Sequence, residues 1–165
     1  MAVAKHDIVR AGHPVLRDRA ALVAHDELGQ KPLLALVKTM IEAMRRAPGV
    51  GLAAPQLGVS KRVIVLEDAE RLMARLTPEQ RAERERVPFA VRAIVNPEIT
   101  VVDASERVFF EGCLSVPGWS ALVPRAIEVE VRGTDEHGAP VSWRVRGWPA
   151  RILQHEVDHL DGALY

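Results

Sequence analysis

The alternation of apolar residues between Ile127 and Val145 constrains the fold of this chain more tightly than any other feature. Ile127, Val129 and Val131 form one run with a period of two, Val141, Trp143 and Val145 form another, and Asp135-Glu136-His137-Gly138 lies between them. A period of two sends successive side chains to opposite faces of a sheet. So short a polar link joins antiparallel neighbours, because a parallel pair needs a crossover of a dozen or more residues. Upstream, Arg62 to Leu66, Ile94 with Val95, Ile99 to Val102 and Val108 to Phe110 read as further short strands. The sheet is therefore expected to be antiparallel or mixed.

Helical spacing appears at both ends of this β-rich region. Gln30 to Arg46 places Leu34, Val37, Met40 or Ile41, and Met44 on one face, with Pro32 near the start and Pro48-Gly49 as the stop. Glycines and proline keep Gly49 to Gln56 from continuing the helix, so that stretch is an extended loop or sheet edge. The charged segment Glu67 to Arg86 contains Thr77-Pro78-Glu79-Gln80, a capping-box pattern, and reads as a solvated helical insertion. Trp148 to Asp161 opens with Pro149 and closes at Gly162, the punctuation of a last helix. The expectation is an α+β fold in one domain, residues 1–165, with β-sheets arranged around a central helix near the C-terminus.

Composition narrows the function. The 165 residues include 22 basic and 22 acidic side chains. No excess of Lys and Arg is present to displace counterions, which argues against general nucleic-acid binding and against a membrane-surface role. Apolar runs such as Pro32 to Val37 fall short of the roughly 20 residues that span a bilayer. Met1 to Arg10 carries no targeting pattern, so the cytoplasm is the expected compartment. The single cysteine, Cys113, forms no internal disulfide and is left with packing, metal ligation or nucleophilic chemistry.

Chemistry concentrates in His155-Glu156-Val157-Asp158-His159. Imidazoles at i and i+4 share one helix face and can grip one divalent ion, and Glu156 stands where a carboxylate can act as general base without ligating. The same five residues would also suit a solvated face. A catalytic metal usually takes three protein ligands. Asp161 is too near in the chain to fold back easily, whereas Cys113 would complete a Cys-His-His set, and on its own would equally suit a buried inert position. Ser115 lacks a nucleophile-elbow context. Arg125 and Glu111 are candidates for a buried pair beside the site. His6, His13, His25 and His137 need no special role, and Trp119, Trp143 and Trp148 read as packing residues.

Three segments together resemble the peptide deformylase family: Gly49-Val50-Gly51-Leu52-Ala53-Ala54-Pro55-Gln56, Glu111-Gly112-Cys113-Leu114-Ser115, and Gln154-His155-Glu156-Val157-Asp158-His159-Leu160-Asp161-Gly162. The resemblance implies a hydrolase that removes the formyl group from the N-terminal formylmethionine of new polypeptides, releasing formate. It implies one divalent metal, Fe2+ before Zn2+, Ni2+ or Co2+, with oxygen-sensitive activity in the iron form. Carried onto this sequence, it makes Cys113, His155 and His159 the metal ligands and Glu156 the acid/base residue. Gln56 and the Leu114 backbone N–H become donors to the developing oxyanion. Val50, Gly51, Leu114 and Ile152 flank these segments and are expected to line the methionine pocket, and Asp158 is expected to orient a histidine ligand. The stretch Glu67 to Arg86 resembles the insertion of mitochondrial-type deformylases, which leaves an organellar origin open. The implied partners are N-formylmethionyl nascent peptides, with transient proximity to the ribosome; because the sequence departs from the family in stopping at Tyr165, three residues after Gly162, docking through a carboxyl-terminal extension is not expected. Two rivals stand beside this reading. A zincin-type peptidase would require neither Cys113 nor Gln56, and a silent module with a structural zinc would require neither Glu156 nor Gln56.

Overall fold

The computed structural model describes residues 7–165, so the reading of Met1 to His6, including His6, lies outside the described residues. Five strands form one antiparallel sheet in chain order: β1 (Gly51–Ala53), β2 (Val63–Asp68), β3 (Phe89–Gly112), β4 (Ser120–Thr134) and β5 (Pro140–Arg146). Around it lie α1 (Lys31–Arg46), the short α2 (Pro78–Glu83) and α3 (Trp148–Leu160).

The alternating runs pair as expected, Val129 opposite Val145 and Val131 opposite Trp143. Their turn is closed by Asp135, whose side chain accepts from the His137 and Ala139 N–H groups at 2.9 and 2.8 Å. The three apolar stretches read as separate strands between Ile94 and Phe110 are one long strand, β3, broken only by register shifts between Val95 and Glu98 and on either side of Asp103. Extra residues at such shifts bend a strand without ending it. At the first of them Asn96 takes a positive φ of 50°, tolerable for Asn, and its amide bonds both the N–H and the carbonyl of Val23.

β2 explains why its sequence is continuously apolar. Val63 and Val65 pack with Val37, Met40 and Met44 of α1 in one core cluster. Ile64 and Leu66 pack with Ile152, Leu153 and Leu160 of α3 in the other. A strand covered on both faces needs no polar alternation. The buried face of α1 is Leu33, Val37, Met40, Ala43 and Met44, so Leu33 takes the place expected for Leu34.

The charged segment is less solvated than its composition suggests. Glu67 and Asp68 belong to β2, only Pro78–Glu83 is α-helical, and Met73 is buried. Asp68, fully buried, is neutralised by two hydrogen bonds from Arg86, and Glu67 pairs with Arg45. Ion pairing lets this segment fold back onto the domain. Trp143 packs edge-on against Phe89 and Trp148 against Phe109. Trp119 is 76% exposed, because it sits on the loop between β3 and β4 with no layer above it, and so is not a packing residue. Among the described residues no helix is long and apolar enough to cross a membrane.

Candidate metal centre

α3 begins with Pro149 in its first turn, where a missing N–H costs nothing, and ends before Gly162. Gly162 has φ 79°, and a Cβ there would lie 2.4 Å from the Arg17 carbonyl oxygen. The helix thereby runs through the core with His155, Glu156 and His159 all buried. Cys113 reaches the same place from the sheet: it follows Gly112, the last residue of β3, in a loop closed by the Gly112–Ser120 pair and by a 2.9 Å bond from the Val116 N–H to the Cys113 carbonyl. The packing of hairpin against helix brings together residues 42 and 46 positions apart in the chain.

One ligand atom each from Cys113, His155 and His159 lies within 4.8 Å of the others, and Cys113 Sγ is 3.3 Å from His159 Nε2. Asp161, the other candidate third ligand, bonds Arg62 instead. A thiol with two imidazoles is a donor set for Zn2+, Fe2+, Co2+ or Ni2+ and not for the hard cations that prefer all-oxygen sites. The residues present therefore fit a transition-metal ion.

Neighbouring groups aim these donors. His155 Nδ1 lies 2.9 Å from Glu111 Oε2, which leaves Nε2 for a cation. Glu111 also bonds Arg125, so the suspected buried pair forms, with 3.0 Å between Arg125 Nη2 and Oε2. Burial works against the charge of Glu111, but hydrogen bonds to His155 and Arg125 outweigh it and hold the carboxyl at about 2. Asp158 is on Arg125 and not on a histidine: the carboxyl group adjacent to His155 Nδ1 is Glu111, and Asp158 connects to it only through the guanidinium. The reading of Asp158 as the residue that orients a histidine is corrected accordingly, because its side chain leaves α3 on the Arg125 side.

Burial pulls His159 down to about 3, with repulsion from His155 in the same direction, so its ring is neutral. Burial also disfavours the charged form of His155, yet hydrogen bonds to Cys113 and Glu111 outweigh it and hold the ring at about 10. Metal uptake must displace that proton, as ligation generally requires. Burial pushes Glu156 up to about 7, and its Oε2 has no hydrogen-bond partner within the described residues.

Gln56 is held in one orientation. Its Oε1 accepts from the Ala53 N–H at 2.9 Å, which turns its NH2 toward Cys113 Sγ at 3.6 Å and Ser115 Oγ at 3.2 Å. Gly51 is required by close approach, since a Cβ there would lie 2.2 Å from Glu156 Oε1. A cavity of about 460 Å³ opens onto these groups. Val50, Gly51, Leu114 and Ile152 all line it, together with Gln56, Cys113, His155 and Glu156. Motif reading missed other lining residues, among them Arg86, Phe110, Trp119, Trp148 and Arg151. Only Arg151 left a signal, being four residues before His155 and eight before His159 on one helix face.

The family model for polypeptide deformylase matches residues 5–165. Peptide deformylase 1 of Streptomyces coelicolor is 51% identical over 158 residues, covering 96% of this chain and 70% of that protein. Chloroplastic peptide deformylase 1A of Solanum lycopersicum is 44% identical over 159 residues, and the chain spans 57% of its length. A Met-Ala-Ser-bound crystal structure of a class I type b peptide deformylase from Acinetobacter baumannii superimposes with a TM-score of 0.84 at 36% identity, covering 96% of this chain and 94% of that one. A match that runs from residue 5 to residue 165, with relatives at up to 51% identity, has one conclusion: the chain belongs to the polypeptide deformylase family.

Proposed function

We propose that this protein, residues 1–165 acting as one catalytic domain, hydrolyses the formamide of N-formylmethionyl peptides to formate and a free α-amine. The observation that carries the reading is a cavity lined by Cys113, His155, Glu156 and Gln56, with His159 grouped behind it beside Cys113 and His155, in a chain of this family. A silent structural zinc site would have no use for a buried carboxylate and a fixed amide facing open volume.

Cys113, His155 and His159 would hold the cation, with Fe2+ the leading candidate and Zn2+, Ni2+ or Co2+ as replacements. Such an ion supplies Lewis acidity that brings the pKa of water from 15.7 toward about 7. Glu156, itself held at about 7, accepts a proton from the attacking water and returns it to the departing amine nitrogen as the formyl carbon–nitrogen bond breaks. The Gln56 NH2 and the Leu114 N–H donate to the formyl oxygen as negative charge develops there. One donor of this kind is typically worth about 3 kcal/mol. Val50, Leu114 and Ile152 supply the apolar wall for the methionine side chain, whose burial is worth about 1.5–3 kcal/mol. Gly51 keeps the backbone open to an extended peptide beside Glu156. The substrates are nascent chains, which places the work in the compartment of translation and in transient proximity to the ribosome.

The test is anaerobic purification with metal analysis, then formate detection on formyl-Met-Ala-Ser and its acetyl counterpart. Rapid formate release, an acetyl peptide cleaved far more slowly, and about one transition-metal ion per chain are expected. A fully metal-loaded protein that leaves the formyl peptide intact would overturn the reading.

A further inference from the structure

We infer that Arg151 is a positioning residue for the metal centre, acting through Glu111 on His155; the inference rests on the metal-site reading above. Glu111 has two oxygens with different duties. Oε2 lies 2.9 Å from His155 Nδ1 and 3.0 Å from Arg125 Nη2. Oε1 accepts from Arg151 Nη1 at 2.6 Å, its shortest bond, and from Arg125 Nε at 3.1 Å. Arg151 is itself fixed independently of the carboxylate. Its Nη1 donates to the Val123 carbonyl at 2.8 Å, its Nη2 donates to the Arg107 carbonyl, and its guanidinium lies 5.2 Å from the Phe109 ring.

The geometry separates its role from that of Arg125. Arg125 bonds both oxygens of Glu111 and shares itself with Asp158, so it compensates charge without choosing which oxygen faces the histidine. Arg151 bonds Oε1 alone, from a guanidinium anchored to both β3 and β4. That contact sets the rotation of the carboxylate and keeps Oε2 on His155 Nδ1. With Nδ1 so occupied, Nε2 is the nitrogen presented toward Cys113 and His159. A helix residue one turn before the first histidine thus aims that histidine by way of the neighbouring sheet. Arg151 is 4% exposed, so the arrangement is internal to the fold.

The experiment is a double-mutant cycle with Arg151→Met, Glu111→Gln and the pair, read by Co2+ affinity and the visible absorption of the Co2+ form, without substrate. Loss of an outer partner of a metal-ligating histidine typically weakens metal binding 10–100-fold. Arg151→Met is expected to weaken Co2+ binding about 10-fold and to shift the Co2+ bands, and to add little to the loss already caused by Glu111→Gln. A purely structural arginine would lower the melting temperature and leave affinity and bands in place. Unchanged affinity, or an equal loss in the Glu111→Gln background, overturns the inference. If Arg151→Met does not fold, Arg151→Lys, which keeps the charge but not the fork, is read in the same cycle with the same criteria. A parent protein that takes up no metal would sink the metal-site reading and this inference together. A parent that binds Co2+ without coupling to position 151 would sink the inference alone.

Discussion

Glu156 owes its proton affinity mainly to burial and lies against the backbone of Gly51, which leaves one carboxylate oxygen free for chemistry. Glu156→Gln preserves shape and leaves the proposed ligands Cys113, His155 and His159 in place. It is expected to retain the metal, measured by elemental analysis, while formate release falls about 10²–10⁴-fold. At this scale the sequence was informative wherever local spacing carries the chemistry. His155, Glu156 and His159 follow from one helical turn, and Cys113 was the only residue able to offer a thiolate. Glu111 and Arg151 were harder to read, because their roles depend on a hairpin packing across a helix 40 or more residues away. Asp158 shows the converse, a residue beside two ligands in the chain that points to Arg125 instead.

Among the elements, β1 is the most exacting for its length. Its three residues are fully enclosed, and Gly51 faces Glu156 directly. Gly51→Ala is expected to destabilise the protein by about 1–3 kcal/mol through overpacking, measured by urea unfolding, and to lower turnover by displacing the Glu156 carboxylate. A control lies at the start of α2, where Thr77 caps the helix by accepting from the Gln80 N–H at 3.2 Å and is not among the cavity-lining residues. Thr77→Ala should cost about 1 kcal/mol in the same measurement and leave turnover unchanged. The β4–β5 hairpin and all three helices were legible from periodicity, capping residues and turn chemistry. The unity of β3 was not, because bulges and a left-handed Asn96 interrupt the apolar pattern without interrupting the strand. The burial of Met73 and Asp68 was hidden for a related reason: charge density marks a segment as solvated unless its ion pairs are known.

For the whole molecule, the charged cluster beneath the metal site sets the acid limit. Glu111 is held at about 2 against an ordinary value of 4.5, so the native state binds its proton more weakly than the unfolded chain does. Its contribution to stability is present above about pH 4.5 and is lost as pH falls toward 2. Urea midpoints of the metal-free protein are expected to decline over that interval. Glu111→Gln should be less stable near neutrality, by about 3–5 kcal/mol for a broken buried ion pair, and flatter in its acid response.

The proposed metal donors come from two separate parts of the architecture, Cys113 from the loop that ends β3 and both histidines from α3. An ion shared between them is therefore a clasp across a seam, and its occupancy belongs to the folding equilibrium as much as to catalysis. At a free concentration one hundred times its dissociation constant it would add about 2.7 kcal/mol to native stability. Chelation should lower the melting temperature and quicken amide exchange first in Cys113 to Trp119. The Glu111–Arg151 fastening alongside should keep helix and hairpin joined, ready for the clasp to close again.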